Sequence, residues 1–399
     1  MINEITIDNF IKKNKNFFIL LLWLISSIFF YFYIYNKYGE PPRYGMFDWN
    51  RYYDGANYIL KGKLPDFPSY YFFSYCLYLA LSIKIIFPYF TLLIAIILNL
   101  ISSFLIFNIT KKLFSNFAAL ICLIIFLFFP YYQMWVFFIQ PVTFFSFCLL
   151  LVAYTIINIE NIRYKFSLLT LSLILVFTSR PNGISEIVSV YIFLILFYLK
   201  INKNISFFIF LAGIPIISFL LIYLSKSMSI QNIYNAWFVT ELKEFGFENE
   251  KLNLPTKNFE NCLGLTKNEI QNLNSDNAPI SNINFWICST FTSPIEVLKI
   301  FMTRIFLILS FYKPVLSAKH NFFSLITLIP MYILFLIGFF KNIHIKKIFI
   351  LISLLLVFAT IAIHTVDGDN RVYSSFLPFI FIISSGGFFY LLKQVKFLY

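Results

Sequence analysis

Long apolar runs dominate the chain and set its architecture. They occupy residues 17–35, 88–110, 115–131, 141–158, 166–180, 184–199, 205–224, 321–340, 347–364 and 373–392. A helix rises 1.5 Å per residue, so about 20 residues cross a hydrocarbon core about 30 Å thick. The pattern therefore predicts an all-α integral membrane protein with about ten transmembrane helices. The first run is long enough to span, which reads as an anchor and not as a cleaved leader. Two further apolar stretches are interrupted: 69–87 by Lys84 and a Tyr- and Ser-rich start, 294–313 by Glu296, Lys299 and Arg304. A charge at a helix centre costs about 2.5–3.5 kcal/mol on insertion. Both stretches are thus expected as juxtamembrane surface helices, in the first and fourth outer loops.

Composition agrees. Of 399 residues, 60% are hydrophobic and 12% charged; a soluble domain carries about 25% charged residues and has no core large enough to hide this excess. A net charge of +13 raises nucleic-acid binding. The placement of the charges excludes it, because Lys and Arg stand in twos and threes at the ends of apolar runs and form no basic stripe.

That placement also orients the chain. With the N-terminus inside, the inner connections hold Lys12, Lys13, Lys15, Lys111, Lys112, Arg163, Lys165, Lys200, Lys203, Lys341, Lys346, Lys347, Lys393 and Lys396, against Glu4, Asp8 and Glu160. The outer segments are nearly balanced. Were 69–87 to span, Lys111 and Lys112 would move outside and the bias would break. The chain then reads as a single polytopic membrane domain over 1–399, with both termini cytoplasmic and two long outer loops, 36–87 and 225–320.

Within the first loop, Asp48 to Gly62 reads as a short amphipathic helix. Apolar positions 49, 52, 53, 56, 59 and 60 recur at helical spacing, and Gly62 supplies a stop. Asp48 opens that helix, either as an N-cap or as a working carboxylate. Asp54 lies on its polar face. Arg180 closes the run 166–180, where an Arg either snorkels to headgroups or holds a phosphate bidentately. Arg371 opens the last run beside Asp367 and Asp369, a pair that serves as a polar turn or a weak divalent-cation site. No HExxH, CxxC, P-loop or GxGxxG is present, so neither zinc nor a nucleotide cradle is expected. Cys262 and Cys288 share the second loop, and an outside location would let them pair.

In order along the chain, these pieces resemble the GT-C glycosyltransferases, in particular the branch of protein O-mannosyltransferases and lipid A aminoarabinose transferases. The likeness rests on Phe47-Asp48-Trp49 opening the surface helix, the Tyr- and Leu-rich 70–87, and the basic turn after Ile109 with Lys111 and Lys112. It continues with Ile139-Gln140-Pro141, Ser179-Arg180-Pro181, and Arg371-Val372-Tyr373 followed by Leu377-Pro378. Gln140 stands where that family commonly has a carboxylate, and Arg371 is offset by one residue from the usual Arg-Tyr pair.

The resemblance implies inverting transfer of a sugar from a polyprenyl-phosphate donor to a glycan, lipid or protein acceptor, at the outer face of a plasma membrane such as the bacterial inner membrane. Asp48 would be the general base, and Arg180 and Arg371 would bind the donor phosphate. Arg51, Tyr52, Asp54, Gln140 and Tyr373 would contact substrate. An exposed Asp is a weak base, and burial against Trp49 and Tyr52 would strengthen it. Two rivals stand beside this reading. A surface-polysaccharide polymerase or ligase should carry Arg and His in its large loop, yet 225–293 has neither. A transporter or lipid-linked-sugar flippase should carry ionisable groups at mid-membrane and helices broken by Gly or Pro; only Asn99 and the single prolines Pro215 and Pro330 approach that description.

Overall fold

The computed structural model describes residues 4–42, 49–65, 69–180, 182–201, 318–341, 345–364 and 371–394, with single positions between 291 and 309. The expected span 205–224, most of the 225–320 loop, and Cys262 and Cys288 lie outside the described residues, as do Asp48, Asp367, Asp369 and the side chain of Arg371.

Among the described residues every regular element is helical. In chain order they are α1 (Glu4–Tyr38), α2 (Trp49–Leu60), α3 (Phe73–Ile86), α4 (Tyr89–Leu113), α5 (Asn116–Phe128), α6 (Pro130–Gln133), α7 (Val142–Asn158), α8 (Ile162–Ser179) and α9 (Gly183–Ile201). Then come α10 (Ala318–Phe340), α11 (Ile345–His364) and α12 (Arg371–Gln394). Among the described residues, five helices are long and apolar enough to cross a membrane: α1, α4, α8, α10 and α12. A sixth span is made if α5 and the bent segment 130–137 count as one, broken by 59°. Helix α1 is longer than its apolar run, and non-helical backbone at Asn14 separates a charged first part from the apolar remainder.

The surface confirms the solvent. Leu20, Leu24, Ile28 and Phe32 of α1 point outward at half exposure, and so do Leu81 and Ile85 of α3 and Ile329 and Ile333 of α10. Contiguous apolar stripes of this extent are not left facing water. The chain is an all-α integral membrane protein.

Contacts divide it into two compact units. The smaller comprises Tyr191–Ile329 and Leu355–Asn370; in it Phe193 stacks on Phe197, and Thr327 donates to the Phe323 carbonyl. The larger comprises Met1–Val190, Pro330–Leu354 and Arg371–Tyr399. At its centre is α12, buried without interruption from Tyr373 to Gly387, as a helix apolar all round should be. It packs on α4, α5 and α7. Its contact with α10 is a backbone contact: a Cβ on Gly387 would fall 1.9 Å from the Leu334 carbonyl oxygen, and one on Gly338 2.1 Å from that of Ile383. Small residues permit this approach, and Ser384 adds a hydrogen bond to the Met331 carbonyl at 2.8 Å.

Helix α4 turns a polar stripe inward through Asn99, Ser102, Ser103 and Thr110. Such groups cannot stay bare in lipid. Ser103 and Thr110 donate to carbonyls one turn back, and Asn99 reaches the Gln133 side chain at 3.0 Å; Ser102 alone of the four has no partner among the described residues.

Of the lysines assigned above to inner connections, Lys12, Lys15, Lys111, Lys112, Lys165, Lys346 and Lys347 gather at one end of this unit. Asp8 accepts from the Phe117 backbone and the Asn116 amide at the start of α5, where a carboxylate meets the positive end of the helix. Lys112 pairs with Glu160 at 2.9 Å and holds that carboxyl below its ordinary range. Lys346 caps the last turn of α7 through the Ile157 carbonyl, and Lys347 caps α10 through the carbonyls of Gly338 and Lys341.

Candidate active site at the opposite end of the bundle

The other end of the larger unit carries the residues that drew attention in the sequence. Its scaffold is α2 laid on α3. Tyr52, Gly55 and Ala56 form the buried face of α2. Gly55 matters because a Cβ there would meet the Cys76 sulfur at 2.7 Å. Tyr52 packs edge-on to Phe72 and Tyr75, and Ser69 donates to the Arg51 carbonyl at 2.8 Å. Gly62, at φ +71°, ends the helix with Lys63 bonding back to Tyr58, a left-handed glycine stop. Helix α3 has 14 residues, too few to span. It is pinned to neighbouring helix ends instead: Tyr78 donates to the Thr91 carbonyl at 2.6 Å, and Ser74 meets Thr178 at 2.5 Å.

Thr178 introduces Arg180. Of the two readings of Arg180, a side chain snorkelling to headgroups does not fit the structure, because Arg180 is only 6% exposed. It follows α8 as an extended C-cap, so its side chain turns into the protein. The guanidinium donates to Ser375 at 3.3 Å and lies 5.8 Å from the Phe145 ring centre. Ser375 is one turn into α12, the helix that Arg371 opens. Three neighbours grip that first turn. Arg180 holds Ser375, Trp135 donates to Ser374 at 3.2 Å, and the Tyr373 hydroxyl bonds that of Tyr332 on α10.

Gln140 lies just before α7, buried, in a turn whose Trp135, Val136 and Phe138 pack against Phe30, Ile34 and Leu92. A narrow crevice opens beside it, walled by Tyr75, Tyr78, Trp135 and Phe144. Thr91 and Thr143 line this crevice too, and their buried hydroxyl oxygens have no hydrogen-bond partner among the described residues.

No protein-family model, curated protein or solved structure matches the chain.

The structure thus brings Gln140, Arg180, Tyr373 and the start of α12 to one end, together with α2, which begins at the residue after Asp48. It does not present all of the expected contact residues to a ligand. Tyr52 and Tyr373 are core residues, 2% and 1% exposed; Arg51 is half-buried and Asp54 faces outward. Among the described residues no three His, Cys, Asp or Glu side chains form a metal-holding group.

Several polar groups here were not singled out from sequence. Ser374 and Ser375 look like ordinary small residues in an apolar run. Thr91 and Thr143 carry no signal beyond standing near helix starts. Glu186, within the apolar run 184–199, sits in the first turn of α9 at 0% exposure. A lone acid inside an apolar run is the signal that would have found it.

Proposed function

We propose that the protein is a GT-C-type membrane glycosyltransferase of about ten spans, with the Arg180 end outside and the lysine end in the cytoplasm. Its donor is a polyprenyl-phosphate sugar and its acceptor a hydroxyl of a glycan, lipid or protein. The observation that carries this reading is the guanidinium of Arg180, enclosed in protein and aimed at Ser375, one turn from Arg371. An arginine placed there is not spent on lipid headgroups. With Arg371 it would offer forked donors to a phosphate arriving from the outer leaflet.

In the reaction the acceptor oxygen attacks the anomeric carbon, the bond from that carbon to the phosphate oxygen breaks, and polyprenyl phosphate leaves. Asp48 takes the acceptor proton as general base. The two guanidinium groups meet the charge that grows on the departing phosphate, and single displacement inverts the anomeric carbon. A divalent cation, if bound at Asp367 and Asp369, would supply further charge neutralisation.

The test is transfer from a radiolabelled polyprenyl-phosphate sugar by the purified protein, wild type against Asp48→Asn. Transfer at equal rates removes Asp48 as the base; no transfer by the wild type with any such donor removes the enzyme reading. A transporter or flippase of lipid-linked sugars is the second reading, and Glu186 inside the bundle is the observation that favours it.

A further inference from the structure

Glu186 takes no part in the transfer outlined above, and its surroundings are unusual. Neither carboxyl oxygen has a hydrogen-bond partner among the described residues, and the Ser353 hydroxyl is bare as well. Both residues are 0% exposed. Ser353 on α11, near the middle of its 20-residue helix, is the hydroxyl next to the Glu186 carboxyl, close enough to interact with it but without a well-formed hydrogen bond. The other hydroxyls on this side of α9 are already engaged: Ser185 donates to the Asn182 carbonyl at 2.6 Å and Ser189 to that of Ser185 at 2.7 Å.

A bare carboxylate inside an apolar bundle has lost its water and gained nothing in return. Its occupant is limited by the number of oxygens on offer. Among the described residues, one carboxyl and one hydroxyl fall well short of the roughly six oxygens a hard cation needs. A proton needs one, and the resulting O–H would have Ser353 as an acceptor. Carboxyl groups that face a bundle interior mark proton and ion paths in membrane proteins.

We propose that Glu186 and Ser353 form an exchangeable proton-binding site inside the helix bundle, the carboxylate taking up one proton to become a carboxylic acid. The site stands apart from the transferase reading and does not depend on it.

The test uses the full-length protein in its own membranes. Dicyclohexylcarbodiimide dissolves in lipid and adds to protonated carboxyl groups, and peptide mass spectrometry locates the adduct. Glu186 is expected to be modified by this reagent, left untouched by a water-soluble carbodiimide, and unaffected by added NaCl. Glu186→Gln loses the adduct, whereas Ser353→Ala keeps it. Because the wild-type peptide reports by itself, poor folding of a variant does not blunt the result. Recovery of the peptide without modification overturns the proposal, and protection by NaCl overturns it in favour of a sodium site.

Discussion

Asn99 on α4 donates its side-chain amide to Gln133 at 3.0 Å, and Gln133 passes the bond on to the Phe126 carbonyl at 2.8 Å. The relay answers a local defect. Pro130 has no N–H, so the carbonyl four residues earlier, that of Phe126, loses its helical partner where α5 breaks. A bare carbonyl within a membrane is costly, and the Gln133 amide replaces the missing donor. Gln133→Leu should therefore destabilise the protein by about 1–3 kcal/mol, and Asn99→Ala by nearer the ~0.6 kcal/mol average of hydrogen bonds between membrane helices. Thermal unfolding in detergent reads both. A Gln133→Leu protein as stable as wild type would show that the break is satisfied in another way.

The contact of α10 with α12 makes a sharper demand. With a Cβ on Gly387 placed 1.9 Å from a carbonyl oxygen, backbone must move before any side chain fits. Gly387→Ala should cost at least the ~1–3 kcal/mol of an overpacked core, and Gly387→Leu should abolish accumulation of folded protein. Gly62→Ala makes a useful contrast. Nothing lies near its Cβ, and only its positive φ resists substitution, so the loss should stay near 1 kcal/mol. Equal losses at the two glycines would contradict the helix contact.

These cases show what can be read from sequence alone. Helical periodicity in α2 and its glycine stop were visible because both depend on residues within a few positions of each other. Charge at the ends of apolar runs was visible for the same reason, and the lysine end of the larger unit collects residues from five separate connections. The Arg180 contact was not visible, since Ser375 lies 195 positions away and serine carries no functional mark. For Arg180 the headgroup and phosphate readings stayed open, because hydropathy locates a helix end along the membrane normal and cannot tell a lipid-facing end from one enclosed by neighbours. Glu186 was missed through the same limit.

Cys76 gives a test of the α2–α3 pair. Burial against Gly55 and Ser69 pushes its thiol up to about 12. The folded protein thus holds the neutral thiol at any ordinary pH, and the thiolate that attacks maleimide is absent. Cys76 should stay unlabelled in native membranes at pH 8 and label fully in SDS. The sign for stability follows. The unfolded thiol ionises first, so the contribution of Cys76 is present below the ordinary thiol range and declines as pH rises from there towards 12. Rapid native labelling would mean that α2 does not lie closed on α3.

Arg180 permits the most direct test of the proposed chemistry, because its charge and its hydrogen bond can be separated. Arg180→Lys keeps the cation but not the planar fork, so the bidentate geometry toward a phosphate is lost. If the guanidinium stabilises the leaving phosphate, Arg180→Ala should lower kcat by about 10²–10³, as loss of one preorganised donor does. Arg180→Lys should recover little of it, and KM for the donor should change less than kcat. Ser375→Ala removes one hydrogen-bond partner of the guanidinium, so its loss should be smaller and fall mainly on kcat. A purely structural Arg180 behaves differently. Both Arg180 variants would then lose thermal stability in step with activity, and the protein that still folds would transfer sugar at the wild-type rate. Measuring kcat per folded molecule alongside unfolding temperature separates the two outcomes.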